Sequence, residues 1–410
     1  MCDAVGELFR LGVSRRRFIR GVTAAAGGAT LLSAAQAAAG TDENPTRRPM
    51  TAGEVAGNYA CRLVLLGTAG GPTWQPNRQG IASAMIVDGR IYLVDCGEGV
   101  GRQLMLALRE SARQQNLPLP TQTAVLDKLR AIFLTHLHSD HTIDYFNLFL
   151  YGWYTGLTEA PQPVQVFGPG NRGQMEPLFS AGGEAPPVMN PENPTPGTVE
   201  MTDYLYQAFA TDENDRMRDN NRPDLRELFK INDIQLPRID GFKSPNSTPS
   251  PPMDPFMVWK DGRVSVSATL VHHAPIFPSF AFRFDTEEGS VVFSGDTSPS
   301  ENLIRMARGA DVLVHEVIDM DFFYKLFPKP WNEREESLLH HLQAAHTTID
   351  DVGGVAESAG VKTLVLTHIV PGNTPVHKLL KAQKGFPGEL IVGEDLMQIG
   401  IGRSRLKQKA

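Results

Sequence analysis

His136-Leu137-His138-Ser139-Asp140-His141 is the stretch on which the reading of this chain turns. It follows Ile132-Phe133-Leu134, a short apolar run that predicts a strand, so it occupies the loop at a strand end. Binding and catalytic residues gather on such loops. Three imidazoles and a carboxylate within six positions would be costly to bury unpaired. They are also the nitrogen-and-oxygen donor set that zinc prefers. A merely solvated polar loop has no reason to place three histidines at this spacing.

Outward from that loop the chain alternates short apolar runs with turn chemistry. Cys61–Leu66 predicts a strand, ended by Gly67-Thr68-Ala69-Gly70-Gly71-Pro72. Ala82–Val87 and Ile91–Asp95 flank Asp88-Gly89-Arg90, a hairpin signal. A helix is expected near Arg102–Gln114 and a strand at Val164–Phe167. Residues 171–262 are rich in Pro, Asn and Asp, and predict an insertion that is part helix, part loop. Strand patterns resume at Val264–Leu270, Phe280–Phe284, Ser290–Phe293, Val312–Val314, Thr363–Thr367 and Leu390–Val392, with helices at Asn302–Arg308 and Thr348–Ala359. Strands in runs, then strands alternating with helices, predict an α/β sandwich.

The formal net charge is -7. Residues 1–39 hold five arginines against two acids, so the remainder is near -10. An acidic body does not suit nonspecific binding to nucleic acid, which is driven by neutralising phosphates. Cys61 and Cys96 fall at predicted strands and read as two buried thiols, although an oxidising compartment would allow pairing.

The N-terminus reads Ser14-Arg15-Arg16-Arg17-Phe18-Ile19-Arg20, followed by a mildly apolar Ala- and Gly-rich stretch to Ala39. Ala35-Gln36-Ala37 is a small-x-small cleavage site. The twin arginines before Phe-Ile resemble a twin-arginine export signal. Residues 1–39 are therefore expected to be removed by the export machinery, leaving a linker at 40–58 and a catalytic domain at 59–410 in the bacterial periplasm. The mature chain is expected to have no membrane span, since no other stretch has enough consecutive apolar residues.

With these motifs in order, the chain resembles the metallo-β-lactamase superfamily. Val271-His272-His273-Ala274-Pro275 resembles the third-histidine motif, Ser294-Gly295-Asp296-Thr297 the one with the bridging aspartate, and Thr367-His368 the last ligand. Asp95-Cys96-Gly97-Glu98-Gly99 also fits, an aspartate close to the site. The resemblance covers about residues 59–402 and implies a four-layer αββα sandwich. It implies that His136, His138 and His273 hold one Zn2+, that Asp140, His141 and His368 hold a second, and that Asp296 bridges them. Mn2+ or Fe2+ suit the same ligand types. Such a pair of ions can clamp a hydroxide as the nucleophile. His272 is left pointing to the opposite face of the strand end.

Val314-His315-Glu316 and His346-Thr347-Thr348 resemble the ribonuclease Z and arylsulfatase branch. That resemblance implies that His346 is a general acid oriented by Glu316, beside the catalytic Asp296. His315 reads as buried structure, while His340, His341 and His377 read as solvated surface. Ribonuclease Z carries a protruding arm that grips transfer RNA. Residues 171–262 occupy roughly its interval but lack a glycine-rich, basic character. The expected substrate is therefore a small phosphodiester or aryl sulfate ester, with no nucleic acid partner. A β-lactam or lactone is the alternative, and a non-catalytic exported metal-binding protein the second. The sequence leaves a homodimer open. The aromatic stretch Tyr145–Leu157 reads either as a pocket wall or as core.

Overall fold

The structure, a computed structural model, describes residues 59–178 and 185–404. The expected export signal, Cys2 and the linker at 40–58 lie outside the described residues. The first strands are β1 (Cys61–Gly67), β2 (Ala82–Val87), β3 (Arg90–Val94), β4 (Leu129–Phe133), β5 (Val164–Pro169), β6 (Phe229–Ile234) and β7 (Phe256–Lys260). They are followed by β8 (Ser265–Leu270), β9 (Phe280–Asp285), β10 (Ser290–Phe293), β11 (Val312–Ile318), β12 (Thr363–Val370), β13 (Glu389–Val392) and β14 (Gln398–Ile401).

Two seven-stranded sheets result, ordered β14-β1-β2-β3-β4-β5-β6 and β13-β12-β11-β10-β9-β8-β7. In the first, β1 to β3 pair antiparallel and β3 to β6 parallel. The second repeats the scheme, antiparallel from β7 to β10 and parallel from β10 to β13.

Strand alternation explains the layering. In β1, Cys61, Leu63 and Leu65 enter the core between the sheets, while Val64 and Leu66 face the outer layer. Both faces are covered, which is why these strands read as continuous apolar runs. The helix Val100–Gln114 lays Val100, Leu104 and Ala107 on the first sheet at helical spacing. Helices Glu301–Ala307 and Ile349–Ala359 cover the second sheet. The chain thus adopts the expected α/β architecture, an αββα sandwich. Cys61 and Cys96 are free and pack into cores on opposite faces of the first sheet.

Phe133, at the end of β4, ties the sheets together directly below the metal loop. Its ring lies 5.4 Å from Phe167, 5.4 Å from Phe282 and 5.3 Å from Phe284. Phe280 N then donates to Thr135 O across 2.9 Å, linking the loop after β4 to the second sheet.

The structure corrects one expectation and decides one open reading. Residues 171–262 are more than helix and loop: they contain β6 and β7, one of the two edge strands of each sheet. In β6 the polar residues Lys230, Asn232 and Asp233 interrupt the apolar pattern, and β7 is a short apolar run set in a proline-rich polar stretch. The aromatic stretch after the metal loop is core rather than pocket wall. Tyr145, Phe146, Phe149 and Trp153 are buried on the outer face of the first sheet, whereas Tyr151 and Tyr154 are exposed.

Candidate metal centre

Strand ends converge on one edge of the sandwich. β4 delivers His136, His138, Asp140 and His141, β8 delivers His273, and β10 delivers Asp296. His368 reaches the same place from within β12. There Glu316 pairs with Thr367 and Val317 with Ile369, so His368 is an extra residue in the ladder. It takes φ +42°, and this bulge turns its ring into the site.

Two donor groups form. His138 Nδ1 lies 3.0 Å from His136 Nε2 and 3.3 Å from His273 Nε2. Asp140 Oδ2 lies 3.3 Å from His368 Nε2 and 3.7 Å from His141 Nε2. Asp296 stands between the groups. Its Oδ2 is 3.9 Å from both His136 Nε2 and His273 Nε2 and 3.3 Å from His368 Nε2, while Oδ1 is 3.4 Å from His141 Nε2.

This donor set fits divalent ions. His141 Nε2 and both oxygens of Asp296 are buried without a hydrogen-bond partner among the described residues. Buried polar atoms left open in this way are costly unless something binds them. Nitrogen and carboxylate donors in clusters of three suit zinc, and also manganese or iron.

His346 borders the cluster. It follows the helix Glu333–Ala345, and its ring lies 5.1 Å from that of His273 and 5.9 Å from that of His368. Its Nδ1 donates to Glu316 Oε1 across 3.0 Å, leaving Nε2 buried and without a partner among the described residues. The same Oε1 accepts from Thr297 N at 3.0 Å and Thr347 N at 3.2 Å, which fixes the carboxylate.

The sequence profile of the Metallo-beta-lactamase superfamily matches residues 77–203, a span that includes the metal loop. The chain has a metallo-β-lactamase fold. Ribonuclease Z of Mycobacterium marinum is 29% identical over 346 residues, covering 83% of this chain and 98% of that protein. Ribonuclease Z of Mycobacterium bovis is 28% identical over 343 residues, with the same coverage. Among solved structures, the short form of human tRNase Z matches with a TM-score of 0.50 and 20% identity, over 83% of this chain and 100% of that one. The metallo-β-lactamase fold protein YhfI from Bacillus subtilis also matches with a TM-score of 0.50, at 17% identity over 82% and 98%. With its homologues, this metallo-β-lactamase-fold chain is a metal-dependent hydrolase.

Other side chains of the hydrolase orient the donors. Asp95 accepts from His141 Nδ1 at 2.9 Å, Thr135 N at 2.8 Å and Thr135 Oγ1 at 2.9 Å. His273 Nδ1 donates to Ala345 O at 2.9 Å. Partners of this kind fix the tautomer and aim of a ligand. The turn Gly70-Gly71 belongs to the site, which its reading as a strand end missed. A Cβ on Gly70 would come within 2.5 Å of His368 Nδ1, and Gly71 N donates to Asp140 Oδ2 at 2.9 Å.

Electrostatics sort the histidines. Burial holds His136, His138 and His273 below the ordinary range, His138 at about 4, so they stay neutral as ligands must. Burial alone would lower His141, but Asp296, Asp95 and Asp140 raise it well above that range. Burial opposes ionisation of Asp296 and Asp140, yet neighbouring histidines hold both carboxyls low. Burial would also lower His346, but the charge and hydrogen bond of Glu316 raise it to about 9.

All nine candidate residues read from the sequence come together here. His272 turns away, with Nδ1 3.1 Å from Ser250 Oγ. His315 donates from Nδ1 to Glu316 O across 2.8 Å inside the sheet. His377 is exposed, as expected. His341 is not simple surface: its Nε2 is buried without a partner among the described residues.

Proposed function

We propose that the protein is an exported two-zinc phosphodiesterase acting on small esters, with His346 as the general acid. The buried His346–Glu316 pair beside the donor cluster is the observation that carries this reading. Two ions held by His136, His138 and His273 and by Asp140, His141 and His368, around Asp296, would supply Lewis acidity and an activated water. Departure of an alcohol or phenol needs a proton. His346 holds one at Nε2, because Glu316 keeps the ring charged near pH 7. Neither a strained lactam ring nor simple metal storage needs that pair.

Small esters are favoured over RNA by charge. Residues 171–262 carry fifteen acids against nine Lys and Arg, and the whole chain has a net charge of -7. Export rests on Arg15-Arg16-Arg17-Phe18-Ile19 and the small-residue stretch after it.

Turnover by zinc-loaded protein tests the reading, with bis(4-nitrophenyl) phosphate, 4-nitrophenyl sulfate, a β-lactam and a precursor transfer RNA as substrates. Metal-dependent diester cleavage with an inert RNA is the expected result. Cleavage of the RNA, or preference for the lactam, overturns the substrate assignment. Fusion of residues 1–39 to a folded reporter tests export: loss of periplasmic reporter on Arg16→Lys/Arg17→Lys is expected, and unchanged localisation contradicts it.

A further inference from the structure

His341 is a half-buried histidine beside the centre that neither the donor groups nor the acid pair uses. It lies four residues before Ala345 on the helix Glu333–Ala345, so the two share a helix face. The C-terminal end of this helix meets the metal centre, because Ala345 O accepts from His273 Nδ1. The ring of His341 lies 6.2 Å from that of His273 and 6.2 Å from that of His346, nearly perpendicular to the latter. Its Nε2 is buried and has no hydrogen-bond partner among the described residues. A buried imidazole nitrogen with no partner is costly, and a site that regains the loss on binding ligand explains it.

We propose that His341 is a substrate-binding residue whose Nε2–H donates to a non-bridging oxygen of the phosphoryl group. The proposal rests on the phosphodiesterase reading and names a contact separate from the metal donors. Burial and the adjacent His346 hold His341 down to about 3, so the ring is neutral. It adds a directional donor without adding a charge that would repel bound cations. Because the two rings lie 6.2 Å apart, a phosphoryl group whose leaving oxygen meets His346 Nε2 would carry a second oxygen near His341.

The test compares wild-type protein with His341→Leu and His341→Gln. Zinc content and thermal stability are measured first, then steady-state kinetics on bis(4-nitrophenyl) phosphate, and binding of inorganic phosphate by calorimetry. His341→Leu should keep two zinc ions, raise KM and weaken phosphate binding by about tenfold to a hundredfold, the worth of one hydrogen bond to a charged oxygen. His341→Gln keeps an N–H near the same place and should recover much of the loss. Unchanged phosphate binding in His341→Leu overturns the assignment, as does loss of zinc from a folded His341→Leu protein. Absence of diester turnover by the wild type would instead overturn the proposed function, and the phosphate arm still decides His341.

Discussion

His346 Nδ1 and Glu316 Oε1 lie 3.0 Å apart, and both side chains are almost fully buried, although thirty residues separate them in the chain. The pair holds an imidazolium beside the cluster, with His346 raised to about 9. A group raised in this way is charged below its shifted value and loses its proton above it. The reaction therefore slows on the alkaline side of the pH profile, with bound cations pressing that limb below about 9. Glu316→Gln removes the anion, so the limb moves to lower pH and kcat falls about tenfold to a hundredfold. Steady-state rates from pH 5 to 10 check this, and an unmoved limb would count against the pair.

Asp95 holds His141 from behind, with φ +60° at its own backbone. Sparsely populated backbone of this kind persists where surrounding structure enforces it. Asp95→Asn keeps the shape but loses the charge that orients His141. Zinc affinity should fall about tenfold to a hundredfold, with the fold intact. Competition with a chromogenic chelator measures it, and wild-type affinity in the variant would refute the role.

Phe133 joins the two sheets directly below the metal loop. Phe133→Ala should cost about 3–5 kcal/mol, from lost burial plus the cavity left behind. Denaturant unfolding of the zinc-free protein measures the loss without the contribution of bound metal.

The layered fold was legible where strands are buried on both faces, because Cys61–Leu66 and Ala82–Val87 then read as apolar runs. It was illegible at β6, where Lys230, Asn232 and Asp233 interrupt the pattern, and at β7, a short apolar run set in a proline-rich polar stretch. The cluster was legible because metal chemistry restricts residue type, so His136 to His141 stand out by composition alone. Gly70 and His341 carry no such mark. Gly70 matters because a ring approaches it from a strand some 300 residues away, and His341 because a helix turns it inward.

Glu213 sits on the helix Ala210–Asp219 with Oε1 buried and unpartnered among the described residues. Burial, aided by the charge of Asp224, raises its carboxyl from 4.5 to about 7. The folded chain thus binds this proton more tightly than the unfolded chain does. Its contribution is fully present below about 4.5 and is lost as pH rises through about 7. Glu213→Gln should match the wild type near pH 5 and exceed it by about 1 kcal/mol at pH 8. Urea unfolding at the two pH values tests this, and an equal difference at both contradicts it.

The central claim is that His346 gives its proton to the departing oxygen beside a two-ion centre. Its most direct test is kcat/KM for zinc-loaded wild type and His346→Ala across aryl phosphodiesters of increasing leaving-group pKa. The wild type should show a shallow dependence, and His346→Ala a steep one, with losses of about a hundredfold or more for the poorest leaving groups and little for the best. Parallel slopes for the two proteins, with zinc content equal, would contradict the claim.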